Sequence, residues 1–179
     1  EAVAAMQSPS ALHASTVIGF PTETEQAKTE AVSLLERYKP SAIVAIEKGG
    51  VNEKGVVHTS RGHDTTEHMA KIDFLMNEAR KKGILTIGIG DGGNEIGMGN
   101  IREVVKERLP FGKECLCPCK AGIAPSTEVD LLITATVSNW GAYGIEACLA
   151  ILLKDPAIFH DANMERWILE HASDAGLID

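Results

Sequence analysis

Asp91, Asn94 and Glu95 stand within one glycine-rich run, Gly88-Ile89-Gly90-Asp91-Gly92-Gly93-Asn94-Glu95-Ile96-Gly97-Met98-Gly99. Two carboxylates and an amide on such a loop suit a hard cation or an ammonium group. The glycines let backbone approach closely and take up positive φ. The run also contains G-x-G-x-x-G after an apolar strand pattern, formally the dinucleotide fingerprint. Asp91 and Glu95 would then crowd the phosphates, where a helix N-terminus normally stands alone as the attractor. No second strand ending in an acid follows at the usual distance, so the nucleotide reading is set aside. A nucleotide-dependent oxidoreductase using the 88–93 turn stays on as the rival. Asp91, directly after the strand, is read as functional. Glu95 is either a second site carboxylate or a cap on the following helix.

Glu47 holds the equivalent place after the preceding apolar run and is followed by Lys48-Gly49-Gly50. A carboxylate there can complete a metal site or act as a general base. Downstream, Arg61 offers a planar fork for a substrate carboxylate. His58, His63 and His68 have no metal-like spacing and are expected at the surface or as caps. Ser138, Asn139 and Trp140 follow a third apolar run; the first two can hydrogen-bond a substrate and the indole can wall a pocket. Glu146 is expected to be exposed. Cys115, Cys117 and Cys119 lack C-x-x-C spacing and a partner pair, which favours a structural or incidental role.

The elements that would position these groups alternate. A short strand is expected at residues 17–20, then a helix capped by Thr22 or Thr24 and running to about Tyr38. Ala42–Ile46 is a continuous apolar run, the pattern of a strand buried on both faces. A helix capped by Thr65 or Thr66 and ended by Gly83 leads to a strand at 84–89. A helix at 101–109, a strand at 130–135, a loop at 137–144 and helices at 145–153 and 161–175 complete the order. Such alternation implies an α/β fold, a mostly parallel sheet flanked by helices in a Rossmann-like three-layer α/β/α arrangement. Ligands bind outside the carboxyl ends of strands in such folds. The loops after Ile46, Ile89 and Ala135 therefore converge on one edge.

Composition sets the outer limits. The chain has 179 residues, a net charge of -8 and a pI near 5.3. No basic stripe offers a nucleic-acid surface, and no apolar run reaches membrane-spanning length. Residues 1–10 lack the basic-then-apolar pattern of a secretory leader. Three of four cysteines crowd into one loop and Cys148 lies in an apolar helical pattern, so a reducing, cytosol-like compartment is expected.

Gly90–Gly99 followed by Val137-Ser138-Asn139-Trp140-Gly141 resembles the D-glutamate cyclase family, as do Ile46-Glu47-Lys48 through Gly55 and Arg61-Gly62. The likeness runs from about Glu25 to Leu153. It differs where Gly19-Phe20-Pro21 joins the first helix almost directly, so a segment near 21–24 is expected to be missing from an otherwise single domain spanning 1–179. The resemblance implies a lyase that closes D-glutamate, or a related amino acid, to 5-oxo-D-proline with loss of water. On that reading Glu47, Asp91 and Glu95 are catalytic and hold a divalent ion, manganese or magnesium. Arg61, Asn94, Ser138 and Asn139 bind substrate, no nucleotide is involved, and self-association is left open. The place would be cytoplasmic, or the mitochondrial matrix in a eukaryote. A lactam hydrolase would share the site, and a non-catalytic ligand-binding domain is the remaining alternative.

Overall fold

The computed structural model describes residues 16–174 and 176. Residues 1–10 and Ala175 lie outside the described residues. Phe20–Ala142 form one compact unit, and the described residues from Tyr143 onward belong to a second. No helix among the described residues is long and apolar enough to cross a membrane.

In the first unit, helix α1 (Thr24–Tyr38) is capped by Glu23, whose carboxylate accepts from the Glu25 and Gln26 amides. The longer side chain reaches the same orphan donors that Thr22 or Thr24 was expected to serve. Ala27, Ala31 and Leu35 form its buried stripe. The 17–20 segment forms no strand. Strands β1 (Ala42–Ile46), β2 (Leu85–Gly90) and β3 (Leu131–Thr134) lie parallel in the order β1-β2-β3. Between the first two, helix α2 (Ile72–Lys81) follows a 3₁₀ turn at Thr66–His68. The continuous helix expected from Thr65 is thus two pieces. Gly83, at φ 72°, closes the second in the left-handed geometry glycine allows. Helix α3 (Arg102–Arg108) links β2 to β3, and α4 (Ser138–Leu153) follows β3. The chain is therefore an α/β protein with a parallel sheet flanked by helices.

The sheet has two unequal faces. Parallel partners share a face, and the register pairs Ala45 with Gly88 and Gly88 with Leu132. On that face Ala45 packs with Met76, Ile96 and Val129, with Ile43, Ile72 and Leu132 at its margin. On the opposite face Val44 and Ile46 are 40% and 46% exposed, so β1 is not buried on both sides. Apolar composition alone cannot separate an uncovered face from a covered one. The start of α4 covers part of it, with Gly141 close against Ile89 and Ile133. The helix begins at Ser138, where a loop to 144 was expected.

In the second unit, α4 continues and α5 (Ala162–Asp174) follows a 3₁₀ turn at Pro156–Ile158. Glu165 accepts from the Tyr143 hydroxyl, and His160 stacks on Tyr143 with ring centres 3.9 Å apart. Glu146 lies 3.7 Å from His160 Nδ1.

One feature of β2 governs the functional edge. A Cβ on Gly88 would lie 2.5 Å from the Ile96 carbonyl oxygen, and one on Gly90 would lie 2.8 Å from Glu95 Oε2. The two glycines let the following loop fold back onto its own strand. Gly88→Ala should cost on the order of 1–3 kcal/mol, the usual range for overpacking. A lowered denaturant midpoint at unchanged slope is expected; an unchanged midpoint would mean the loop does not pack on β2.

Candidate active site

Glu47 follows the last residue of β1 and Asp91 the last residue of β2. Both carboxylates therefore leave the sheet at the same end, as parallel strands require. Glu47 has φ 53°, a left-handed conformation uncommon outside glycine. Its amide donates to the Ile89 carbonyl at 3.1 Å, which turns the chain off β1. Such a backbone costs about 1–3 kcal/mol and persists where the surroundings over-determine it. Here two hydrogen bonds fix the segments that follow. Gly50 N–H donates to the Asn94 carbonyl at 2.9 Å and Ile96 N–H to the Lys48 carbonyl at 2.7 Å.

Glu95 is 2% exposed and organises the glycine loop. Its Oε1 accepts from Gly92 N–H at 2.7 Å and Asp91 N–H at 3.4 Å, and Oε2 accepts from Gly93 N–H at 2.8 Å. It caps its own loop rather than a following helix. Asp91 is exposed and meets the start of α4, its Oδ2 accepting from Ser138 N–H at 3.0 Å and from Ser138 Oγ at 3.3 Å. A carboxylate is well placed at the unsatisfied amides of a helix N-terminus.

Carboxylate oxygens of Glu47, Asp91 and Glu95 all lie within 4.8 Å of one another. Among the described residues no salt bridge reaches any of the three. Glu47 is exposed overall, but partial burial of its carboxyl lifts it above its ordinary value; a hydrogen bond with Ser138 opposes this, and the charges of Asp91 and Glu95 reinforce it. Beside Asp91 a cavity of about 170 Å³ is lined by Gly90, Gly93, Thr134, Ala135, Arg108 and the apolar side chains of α3. It is smaller than a drug-sized pocket, and of the three carboxylates only Asp91 lines it.

The other expected residues divide. Ser138 is 1% exposed and engages Asp91. Asn94 is half-buried and its Nδ2 donates to the His58 carbonyl at 2.8 Å. Arg61 and Asn139 are exposed. Ser60, next to Arg61, packs by Gly92. Trp140 is 62% exposed and does not wall a closed pocket.

Sequence reasoning missed a second group. His58 is 2% exposed, not a surface or capping histidine. Its Nε2 lies 3.3 Å from Cys117 Sγ and 3.6 Å from Cys119 Sγ. With Cys115 these residues form a cluster that could hold a metal ion. The three cysteines do have a partner, a histidine 57 residues before Cys115, where a second cysteine pair was sought. Burial pushes the Cys117 thiol up to about 11. Burial also opposes ionisation of Cys119, but hydrogen bonds from the Ala121 amide, Asn52 and its neighbouring thiols bring it down to about 7.

Residues 2–179 match the family described as D-glutamate cyclase-like, C-terminal. The chain belongs to that family. It is also 36% identical over 111 residues to the human protein named "D-glutamate cyclase, mitochondrial". That stretch is 62% of this chain but 17% of the human relative, so the family membership concerns one part of a longer protein there.

The raised Glu47 carboxyl has a thermodynamic consequence. A carboxyl whose folded-state pKa is raised contributes stability below the unfolded value, and that contribution is lost as pH rises through the folded value. Glu47→Gln should therefore be more stable than the parent at neutral pH. The gap should close as pH falls toward the ordinary glutamate value of about 4.3. Denaturant midpoints of both proteins across that window check the sign; an equal difference at every pH would mean that folding does not raise the Glu47 carboxyl.

Proposed function

We propose that this chain carries the reacting centre of a lyase that closes D-glutamate to 5-oxo-D-proline. The observation that carries the reading is the convergence of Glu47, Asp91 and Glu95 oxygens at the strand ends of a family member. The closure requires no net acid or base. The ammonium nitrogen gives up two protons, one N–C bond forms to the γ-carboxyl carbon, and one C–O bond breaks. The departing oxygen leaves with those two protons as water.

A site for this reaction must hold the bent conformer, which makes the attack intramolecular, and must move protons from nitrogen to oxygen. Glu47, whose carboxyl is raised by burial and by its acidic neighbours, is the first candidate for that transfer, which needs a carboxylate positioned at the reacting nitrogen. Asp91 is the other candidate base, held in place by Ser138. Arg61 and Asn139 would meet the substrate's α-carboxylate. Asn94 and Ser138 would act largely by fixing His58 and Asp91, to which they are already bonded.

The donor set also fits a divalent ion. Three carboxylates with no salt-bridge partner among the described residues are hard oxygen ligands of the kind magnesium and manganese take. Such an ion would polarise the γ-carboxyl oxygen. The rival that uses the 88–93 turn for a nucleotide meets an obstacle: the amides of Asp91, Gly92 and Gly93 are already occupied by Glu95. The same chemistry run backwards would open the lactam, so direction depends on concentrations. A reducing location inside the cell, mitochondrial as in the relative's name, goes with the free thiols.

Asp91→Ala should lower the rate of 5-oxo-D-proline formation by about 10²-fold or more, as expected for loss of an acid-base or ligand carboxylate. Its circular dichroism should stay that of the parent. Turnover at the parent rate with an intact spectrum would remove Asp91 from the reaction.

A further inference from the structure

The loop at residues 111–125 carries Cys115, Cys117 and Cys119 against the buried ring of His58. Cys115 Sγ lies 3.4 Å from Cys117 Sγ and 3.3 Å from Cys119 Sγ, and His58 Nε2 lies 3.3 Å and 3.6 Å from the latter two. All four ligand atoms fall within 4.8 Å of one another. A tetrahedral zinc ion with Zn–S near 2.3 Å and Zn–N near 2.0–2.1 Å needs ligand–ligand edges of roughly 3.5–3.8 Å. The cluster is already close to that size. The cysteines are free thiols, at van der Waals separation rather than the ~2.05 Å of a disulfide. Pairing any two would strand the third.

We propose that His58, Cys115, Cys117 and Cys119 hold one zinc ion in a closed structural site. Three thiolates and one imidazole are a standard structural zinc set, and four protein ligands leave no position open for a substrate. Binding releases the three thiol protons to solvent, and the thiolates stay coordinated. Asn52 supplies an outer contact: its Nδ2 lies 3.5 Å from Cys119 Sγ and donates to the Gly122 carbonyl at 2.8 Å. An N–H facing a coordinated sulfur offsets the net negative charge of a zinc ion with three thiolates.

The position of the cluster gives the ion its work. His58 lies on the polar segment between β1 and α2, and the cysteines lie between α3 and β3. Elsewhere these segments are joined by a few separate hydrogen bonds: Leu116 N–H to the Gly62 carbonyl at 3.0 Å, Ser126 N–H to the Val51 carbonyl at 2.7 Å, and the Asn52 Nδ2 bond to the Gly122 carbonyl. The His58 carbonyl accepts from Asn94, inside the glycine loop. The ion thereby clamps two long crossovers and, through His58, steadies the loop that carries Asp91 and Glu95. This inference stands whether or not the chain acts on D-glutamate.

The test reads metal content and spectrum rather than turnover. The chain, purified under reducing conditions and dialysed against a weak chelator, should retain one equivalent of zinc by plasma mass spectrometry. Modification of the thiols with a mercurial should release it. Cys119→Ser, the least buried ligand change, should lose most of the zinc, whereas Glu47→Gln should keep it. If Cys119→Ser does not fold, cobalt(II) added to the demetallated parent chain reports directly. Intense thiolate-to-cobalt charge transfer with tetrahedral d–d bands is expected. A parent chain that holds no zinc and gives no charge-transfer band would overturn the proposal, as would zinc lost with Glu47→Gln and kept with Cys119→Ser.

Discussion

The carboxylate of Glu95, folded under the amides of its own loop, is the interaction on which the functional edge depends. It supplies acceptors for three backbone N–H groups that would otherwise be oriented into a crowded, poorly solvated turn. A buried unsatisfied amide costs on the order of 1–3 kcal/mol, so the loop has a strong reason to close on this side chain. Closure requires that nothing project from β2 at Gly88 and Gly90, where a Cβ would meet the loop backbone and the Glu95 carboxylate. It then fixes Asp91 at the start of α4 and pairs the Gly49 segment with Glu95 in an isolated bridge. The cost is a concentration of negative charge, which adds to the larger effect of burial in raising the Glu47 carboxyl.

A second, unrelated set of contacts secures the crossover segments. Asp73, at the start of α2, accepts from Val51 N–H at 3.0 Å and from Thr127 Oγ1 at 2.5 Å. One side chain thus ties the segment after β1 to the segment before β3. Asp73 is 3% exposed, and burial raises its carboxyl, against the hydrogen bonds from Thr127 and Val51. The His58 and cysteine cluster lies between the same two segments. Together they explain how a small parallel sheet can support long polar crossovers near its functional edge.

Much of this was legible in the sequence, for local reasons. Apolar runs at Ala42–Ile46 and around Ile87 and Leu132 mark strands because a parallel sheet needs them. A carboxylate immediately after a strand must emerge at the sheet's carboxyl edge, which placed Glu47 and Asp91 together. What escaped was non-local. The start of α4 at Ser138 depends on Asp91, 47 residues earlier, accepting from its first amide. No periodicity in the helix itself carries that information. Glu95 was ambiguous because ligand and cap demand the same residue type, and its cap proves to be on its own loop, at the Gly92 and Gly93 amides, rather than on the following helix. His58 was missed because metal spacing was sought along the chain, while the fold brings its ligand partners from residues 115–119. The uncovered face of β1 was equally hidden, since exposure belongs to the neighbours of a strand and not to its own composition.

The most direct measurement of a shared carboxylate site is the paramagnetic resonance of manganese(II) titrated into the chain, with D- or L-glutamate added afterwards. If Glu47, Asp91 and Glu95 act as one site, manganese binds with a single equivalent. Its spectrum then changes with D-glutamate and much less with L-glutamate, and Glu47→Gln weakens the binding. Manganese that does not bind, or that binds equally well to Glu47→Gln and ignores both enantiomers, would contradict a shared site for ion and substrate at these strand ends.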